Sequence, residues 1–373
     1  MNAKKILVTG GAGFVGSHLA DALLRAGHDV RIFDNLSPQV HGKGLPEYLS
    51  TNVELLQGDM RDARAVGRAV EGIDVIFHLA AAVGVGQSMY QIADYMGSNT
   101  QGTAILLQSL LDRKARVEKL VVASSMSIYG EGQYLCANCG DIAPDPRGSE
   151  QLLGKGWEVL CPKCGAELAP IPTTEAKALH CSSVYALSKK DQEEICLLFG
   201  RTYGLPVVAL RYFNIYGTRQ ALSNPYTGVA AIFASRLLNR RAPLVFEDGL
   251  QMRDFVSVHD VIAANLLAIE SDRADGHAVN IGSGSAISIR EVASALSHTL
   301  DADLPCEITG KYRAGDIRHC FGDISKAREM LGYEPQIGFD QGISELANWL
   351  REQNAEDKAE SMVAELETFG LTA

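Results

Sequence analysis

Lys4 to Thr9 reads as a short apolar strand that runs straight into Gly10-Gly11-Ala12-Gly13-Phe14-Val15-Gly16. No other stretch limits the fold so tightly. Phe14, Val15, Leu19, Leu23 and Leu24 then recur at helical spacing up to Ala26-Gly27, and Val30 to Phe33 is a second strand stopping at Asp34. Strand, glycine turn, helix, strand and terminal acid together form a dinucleotide-binding fingerprint. Gly10 permits the tight turn, Gly13 lets backbone approach a diphosphate, and Gly16 lets helix and strand pack closely. Phe14 and Val15 open the helix whose N-terminus would carry the diphosphate. The glycines are spaced G-x-x-G-x-x-G rather than G-x-G-x-x-G. An ordinary strand-to-helix turn can also hold three glycines, but it does not require an acid at the end of the next strand. The Asp34 carboxylate can accept hydrogen bonds from a ribose 2′-OH and would repel a 2′-phosphate. Asn35-Leu36-Ser37 offer no arginine to offset that repulsion, so the expected cofactor is NAD, not NADP.

The alternation continues. Strands are expected at Val53–Gln57, Asp74–Leu79, Lys119–Ala123 and Leu205–Leu210, with helices to Val70 and over Asn99–Leu111 between them. This order predicts an α/β fold with a doubly wound parallel (Rossmann) sheet. The fourth strand ends at Leu79 and leads into Ala80-Ala81-Ala82, small residues that would let a cofactor lie close against the strand end. The fifth strand delivers Ser124-Ser125-Met126-Ser127-Ile128-Tyr129-Gly130 at its carboxyl end, where such sheets bind ligands.

Tyr185 and Lys189, four residues apart on a helix, share one face. A free phenol titrates near ~10, and a neighbouring ammonium lowers that value and makes a general base plausible. Taken alone, such a pair is more often a half-buried Tyr and a solvated Lys. The nucleotide fingerprint upstream supplies a cofactor; the pair also needs a polar partner for the substrate hydroxyl. The histidines, His18, His41, His78, His180, His259 and His319 among them, show no ligand spacing and read as structural or solvent-facing. His180, on the approach to Tyr185, is the one of interest.

Cys136-Ala137-Asn138-Cys139-Gly140 and Cys161-Pro162-Lys163-Cys164-Gly165 are paired C-x-x-C-G knuckles, separated by 21 residues. That spacing suits a tetrahedral zinc site made of four cysteines, and four thiolates leave no open position for water, so the expected role is structural. Four buried thiols or two redox pairs would be the alternative. Asp141 to Lys155, rich in Gly, Pro, Asp and Ser, is not expected to hold a compact shape without the metal. Cys181, Cys196, Cys306 and Cys320 lack such spacing and read as core residues.

Net charge is −11, which disfavours nucleic acid and anionic membranes as partners. No apolar run is long enough to span a bilayer, and Met1 to Lys5 lead into the first strand without a secretory signal. A cytoplasmic location follows as an expectation.

The chain resembles the extended short-chain dehydrogenase/reductase family, and within it the nucleotide-sugar epimerases and dehydratases. The matching pieces are Thr9 to Gly16, Asp34-Asn35, Gly58-Asp59, His78 to Ala81, Asn99, Ser124-Ser125 to Tyr129-Gly130, and Tyr185 to Lys189. Arg211 to Gly217 and Arg253 to Val256 complete the set, in the family's order. The resemblance implies that Tyr185 is the catalytic base and that Lys189 binds the nicotinamide ribose and lowers the phenol's pKa. It implies that Ser125 holds the reacting hydroxyl with Ser127 beside it, and that Asp59 and Met60 flank the adenine. Asn99 joins the cofactor-side residues. Asn214, Arg253 and Arg313 match positions that hold the sugar-nucleotide diphosphate. A homodimer through the Asn99–Leu111 and 185–203 helices is implied as well.

Met126-Ser127 stand where the family's dehydratases and decarboxylases carry acids, and the 3,5-epimerase cysteine is absent too. What remains resembles a 4-epimerase that inverts a C4 hydroxyl through a transient 4-keto sugar. The stretch from Asp34 to Gly42, with the cysteine insertion, resembles the dTDP-L-rhamnose 4-epimerases. A dehydratase or ketoreductase of the same family is the alternative. From another class comes a catalytically silent NAD sensor or scaffold with a partner-binding zinc ribbon. The expected organisation is a dinucleotide domain over 1–130, continued by about 175–215 and 251–282. A zinc-ribbon insertion occupies 131–172, and a smaller α/β substrate domain takes 216–250 and 283–352. The charged tail, 353–373, is expected to be a solvated helix.

Overall fold

Consecutive aliphatic residues, with no polar alternation, make strands that must be buried on both faces. The computed structural model describes residues 3–42 and 44–372 and uses those runs in this way; Met1 and Asn2, where the expectation about a leader begins, lie outside the described residues. Seven strands form one parallel sheet. From one edge they run Ala278–Ile281, Val207–Tyr212, Lys119–Ser125, Val75–His78, Lys5–Thr9, Asp29–Asp34 and Glu54–Gln57. Ile6 pairs with Val30 on one side and Val75 on the other. The chain therefore winds outward in both directions from Lys5–Thr9. The crevice where the direction reverses opens at the glycine turn, the ligand position for this topology.

Helices cover both faces. Leu19 and Leu23 of the Phe14–Arg25 helix and Val261 and Ala264 of the Val258–Glu270 helix pack on one. Val66, Leu106, Leu110 and Cys196 pack on the other. Outside the insertion, three smaller sheets accompany the seven-stranded one among the described residues. Met252–Arg253 lies between Ile287–Ser288 and His319–Cys320, Asn214–Tyr216 runs parallel to Phe255–Ser257, and Leu244–Val245 runs parallel to Glu307–Ile308. Phe233, Leu296 and Leu346, from three helices, fill a third core there. A doubly wound sheet with a smaller α/β unit is thus observed.

Two local expectations give way. The helix expected to begin at Asn99 begins earlier, at Ile92–Tyr95, passes through a π turn at Met96–Gln101 and continues as Gly102–Asp112. Asn99 is fully buried in the wide turn, its side chain bonded to the Ala82 N–H (2.7 Å), the Ala82 carbonyl (3.0 Å) and Ser188 (2.9 Å). Such bulges mark places where a side chain is needed out of helical register. The tail is solvated on one face only. Its Ala359–Thr368 helix buries Ala359, Met362 and Leu366, with Met362 and Leu366 against Tyr226. Their i, i+3, i+7 spacing is an apolar stripe that the surrounding charges obscure.

The insertion is organised about Gln133–Cys136, flanked antiparallel by Gly140–Ile142 and Ala169–Ile171, over a core that includes Tyr134, Val159 and Leu168. Within Asp141–Lys155 lie a Ser149–Leu153 helix and an arginine, Arg147, that pairs with the substrate unit. Arg147 meets Glu247 at 2.9 Å. Arg318, fully buried, meets Glu158, Glu247 and Asp248.

Candidate active site

The glycine turn is as close as the fingerprint requires. Gly10 has φ +68°, and a Cβ there would lie 2.9 Å from the Ala80 backbone. A Cβ on Gly16 would sit 2.3 Å from the Gly10 carbonyl, whereas one on Gly13 would come only to 3.3 Å. The turn thus presents bare backbone at the start of the Phe14–Arg25 helix, a cradle suited to a diphosphate. Asp34 is buried and accepts the Ala12 N–H (3.0 Å) and the Leu36 N–H (2.8 Å), locking the second strand's end onto the turn. The His41 ring stands 3.7 Å from the same carboxylate. Sequence reasoning gave this histidine no role, because spacing alone does not show that the Pro38–His41 turn folds back.

Asp59 pairs with Arg61 (2.8 Å), whose hydrogen bonds hold its carboxyl down at about 2; Asn35 reaches it at 3.5 Å. Met60 is buried beside them. On the opposite side of the crevice the Ala80 N–H donates to Thr9 (3.2 Å), so Leu79 to Ala81 leave their strand next to the turn.

Ser183 caps the Val184–Tyr203 helix by accepting the Ala186 N–H (3.1 Å), which fixes where Tyr185 and Lys189 point. The Tyr185 N–H is free in that first turn and donates to the Ser88 hydroxyl (3.0 Å). The ring lies edge-on to Tyr95, with centroids 6.4 Å apart. Burial pushes the phenol up from its usual range, and a hydrogen bond with Ser125 pulls the other way. Ser125 in turn accepts from the Ser127 hydroxyl (2.9 Å) and N–H (3.2 Å). The Lys189 ammonium is buried, and that burial lowers it to about 8; it donates to Gln192 at 2.8 Å. Gln192 bonds Thr103 (2.9 Å) and the His78 ring (3.2 Å), and burial holds His78 at about 3, neutral at any ordinary pH. This Lys189–Gln192–His78–Thr103 chain escaped the sequence reading, which had no pattern linking three separate elements. His180, by contrast, is exposed.

Ser127, Asn214, Arg253 and Arg313 line one cavity of about 250 Å³, and Ser125 and Tyr185 stand just beyond its Ser127 end. The Asn214 side-chain oxygen is buried without a partner among the described residues. Arg253 donates to the carbonyls of Met252 (2.8 Å), Arg318 (2.9 Å) and Ile317 (2.6 Å). Arg313 stacks over Phe246 at 4.7 Å and pairs with Asp316 at 2.8 Å. Asp316 is the single carboxylate among the described residues lining the cavity. The sequence reading missed the wall formed by Met362, Val363 and Leu366 of the tail.

The four knuckle sulfurs, of Cys136, Cys139, Cys161 and Cys164, lie within 4.8 Å of one another, and those of Cys136 and Cys164 are 3.6 Å apart. A tetrahedral ion with metal–sulfur bonds of about 2.3 Å needs sulfurs about 3.8 Å apart. The cluster can therefore chelate a metal. The Ala166 N–H, together with the neighbouring thiols, draws Cys164 down to about 6.

Residues 6–147 match the NAD dependent epimerase/dehydratase family, and residues 166–346 match the GDP-mannose 4,6 dehydratase family. The chain is 32% identical to dTDP-L-rhamnose 4-epimerase of Burkholderia thailandensis over 95% of its own length and 96% of the relative's. Among solved structures it is similar to UDP-glucose 4-epimerase from Thermotoga maritima with UDP-glucose (31% identity, TM-score 0.76). The Thermus thermophilus UDP-glucose 4-epimerase in complex with NAD is another (30% identity, TM-score 0.74). In both cases 93% of this chain and 99% of the other are covered. A fingerprint turn at the sheet's switch point, a capped Tyr–Lys helix and full-length similarity have one common explanation: the chain belongs to the NAD-dependent epimerase/dehydratase family.

Proposed function

We propose that the chain inverts the C4 hydroxyl of a nucleotide sugar through a transient 4-keto sugar. The glycine cradle at Gly10, Gly13 and Gly16, with Phe14 and Val15 behind it, would hold the NAD diphosphate. Asp34 would meet the adenosine ribose, Asn35, Asp59 and Met60 the adenine side, and Leu79 to Ala81, Asn99 and Lys189 the nicotinamide side. Bound NAD supplies a hydride acceptor and, in the return step, the donor. Ser125 holds the reacting hydroxyl while Tyr185 removes its proton. The phenol is raised by burial in the free chain, so it needs positive charge nearby to act at neutral pH. A bound oxidised nicotinamide would supply that charge, and Lys189, whose ammonium meets Gln192 in the free chain, is proposed to add to it when the cofactor is bound. Asn214, Arg253 and Arg313 anchor the diphosphate of the substrate, with Ser127 beside the sugar. Once the configuration at C4 is inverted, Tyr185 would return the proton to the C4 oxygen while Ser125 holds it.

One observation favours epimerisation over loss of water. The sole lining carboxylate among the described residues, Asp316, is committed to Arg313, which leaves no free acid at the Ser127 end to move a proton at C5. Purified protein without added NAD, given a panel of UDP-, dTDP- and GDP-sugars and followed by NMR, should yield an equilibrium mixture of C4 epimers. Water elimination or accumulating NADH would reject the reading.

The metal is proposed to be structural zinc in a ribbon-like insertion, supported by the four sulfurs' spacing and the absence of a fifth donor among them. A homodimer is supported by Leu187, Leu198 and Tyr203, which are 43%, 56% and 58% exposed on the Val184–Tyr203 helix. No helix among the described residues is long and apolar enough to cross a membrane, and none of the eight cysteines is in a disulfide. The free thiols support the cytoplasm as the compartment.

A further inference from the structure

We infer that Gln39 retains the cofactor: its side chain closes the dinucleotide crevice by bonding across it to Gln87 and Asn224. The inference rests on the cofactor half of the reading above, NAD held at the glycine turn, and not on the reaction at C4.

Strand order sets the banks of the crevice. Lys5–Thr9 is flanked by Asp29–Asp34 on one side and Val75–His78 on the other, with Thr9 opposite both Phe33 and His78. The glycine turn leaves the middle strand between those two banks. A dinucleotide with its diphosphate on the turn reaches one bank with its adenosine, at Asp34, and the other with its nicotinamide, at Ala80 and Lys189. Gln39 comes shortly after the first bank and Gln87 shortly after the second. A bond between their side chains therefore spans the crevice from bank to bank, and encloses a dinucleotide that spans the same two banks.

The chain is bent back to make that bond. Leu36 takes left-handed backbone (φ +52°), uncommon for a residue with a side chain, and the Asp34 carboxylate accepts its N–H (2.8 Å). The Val40 and His41 N–H groups then close on the Ser37 carbonyl at 3.0 and 2.9 Å, with Pro38 at the first position of the turn, where no N–H is needed. The inner side of this Pro38–His41 turn is anchored. The His41 side chain, only 3% exposed, stands beside Asp34, and further on the Tyr48 hydroxyl donates to the Ala12 carbonyl in the glycine turn (3.1 Å). Gln39 is on the outer, exposed side.

Gln39 uses both ends of its amide. Nε2 donates to the Gln87 and Asn224 side-chain oxygens, each at 3.0 Å, and Oε1 accepts from Gln87 Nε2 at 3.3 Å. Both partners are buried and otherwise engaged. The Asn224 side chain also accepts the Tyr226 N–H (3.1 Å), and Gln87 also accepts from the Tyr95 hydroxyl (3.1 Å). Tyr95 is the ring against which Tyr185 lies, and Tyr226 lines the substrate cavity. One exposed amide thus joins both banks of the cofactor crevice to the substrate unit. Neutral hydrogen bonds are weak singly, so such a closure can open, but all three must break before the nucleotide leaves.

The test follows nucleotide exchange. Protein carrying isotopically labelled NAD is freed of unbound nucleotide and chased with a large excess of unlabelled NAD, and the label still bound is measured over time. Gln39→Leu keeps the side chain's size and removes all three bonds. It should release the label about 10- to 100-fold faster than the unmodified protein, the range that losing two or three neutral hydrogen bonds gives. Val40→Ala alters an exposed side chain on the same turn and should release it at the unmodified rate. Release from Gln39→Leu as slow as from the unmodified protein, or equally fast release from Val40→Ala, overturns the inference. Exchange needs no turnover, so the result holds whether or not C4 epimers form. Unmodified protein that binds no NAD would instead overturn the cofactor reading, and this inference with it.

Discussion

The Tyr134 hydroxyl donates to Glu131 (2.7 Å) and accepts the backbone N–H of His319 (3.2 Å), joining the cysteine insertion to the strand behind the cavity. Glu131 accepts the Arg318 N–H as well (2.7 Å). The carbonyls of Ile317 and Arg318 are the ones that hold the Arg253 guanidinium. The insertion therefore reaches the proposed diphosphate site through backbone, at Ile317 and Arg318 and, from Arg147, at the Asp316 carbonyl (3.2 Å). Tyr134→Phe removes both hydroxyl bonds from a buried cluster, each worth about 1 kcal/mol. The expected result is a KM for the nucleotide sugar raised about 5-fold with kcat little changed. A fall in kcat with KM unchanged would contradict this account of Arg253.

The glycine turn makes a graded prediction. A Cβ at Gly16 would lie 2.3 Å from the Gly10 carbonyl, backbone that cannot yield locally; at Gly13 the same contact is 3.3 Å. Gly16→Ala is expected to abolish NAD retention and lower Tm by several degrees. Gly13→Ala should fold normally and lose only part of its NAD, read by the nucleotide released on denaturation. Equal retention by the two variants would place the dinucleotide elsewhere.

Much of this was legible in the chain because strands buried on both faces are written as uninterrupted aliphatic runs, and a diphosphate cradle needs glycine. Gly10, Gly16, Asp34, Ser125 and Tyr185 are read from such local rules. Asn99 was placed on a helix, but not the π turn, since its partners at Ala82 and Ser188 are remote in sequence. The tail helix was misjudged because Met362 and Leu366 are outnumbered by charges, and the surface they bury against, Tyr226 with Tyr90, lies more than 130 residues earlier. His41 and the Lys189–Gln192–His78 chain are likewise tertiary facts.

Glu158 predicts an acid-sensitive junction between insertion and substrate unit. Hydrogen bonds from His319 and then Arg318 hold its carboxyl at about 2, below the ordinary 4.5. A depressed folded-state value means stabilisation that is present above 4.5 and is lost as pH falls through about 2. Glu158→Gln should therefore have the lower Tm at neutral pH, with the gap to the unmodified protein closing across that window. A gap independent of pH would show that the charge on Glu158 does not hold the junction.

Metal removal should act at a distance. Elemental analysis is expected to find about one zinc per chain, lost in Cys161→Ser. That variant should lose the protection from hydrogen exchange in residues 133–171 while the seven-stranded sheet keeps its own. Unchanged exchange in the insertion would mean that its small core holds without a metal.

The central claim is that hydrogen at C4 leaves and returns as hydride within one enzyme, and deuterium placed at C4 of the substrate tests it most directly. The account predicts that both epimers at equilibrium keep the deuterium at C4, with none exchanged into water and no NAD added. Loss of the label to solvent would contradict it, since that would require C4 to be deprotonated rather than oxidised.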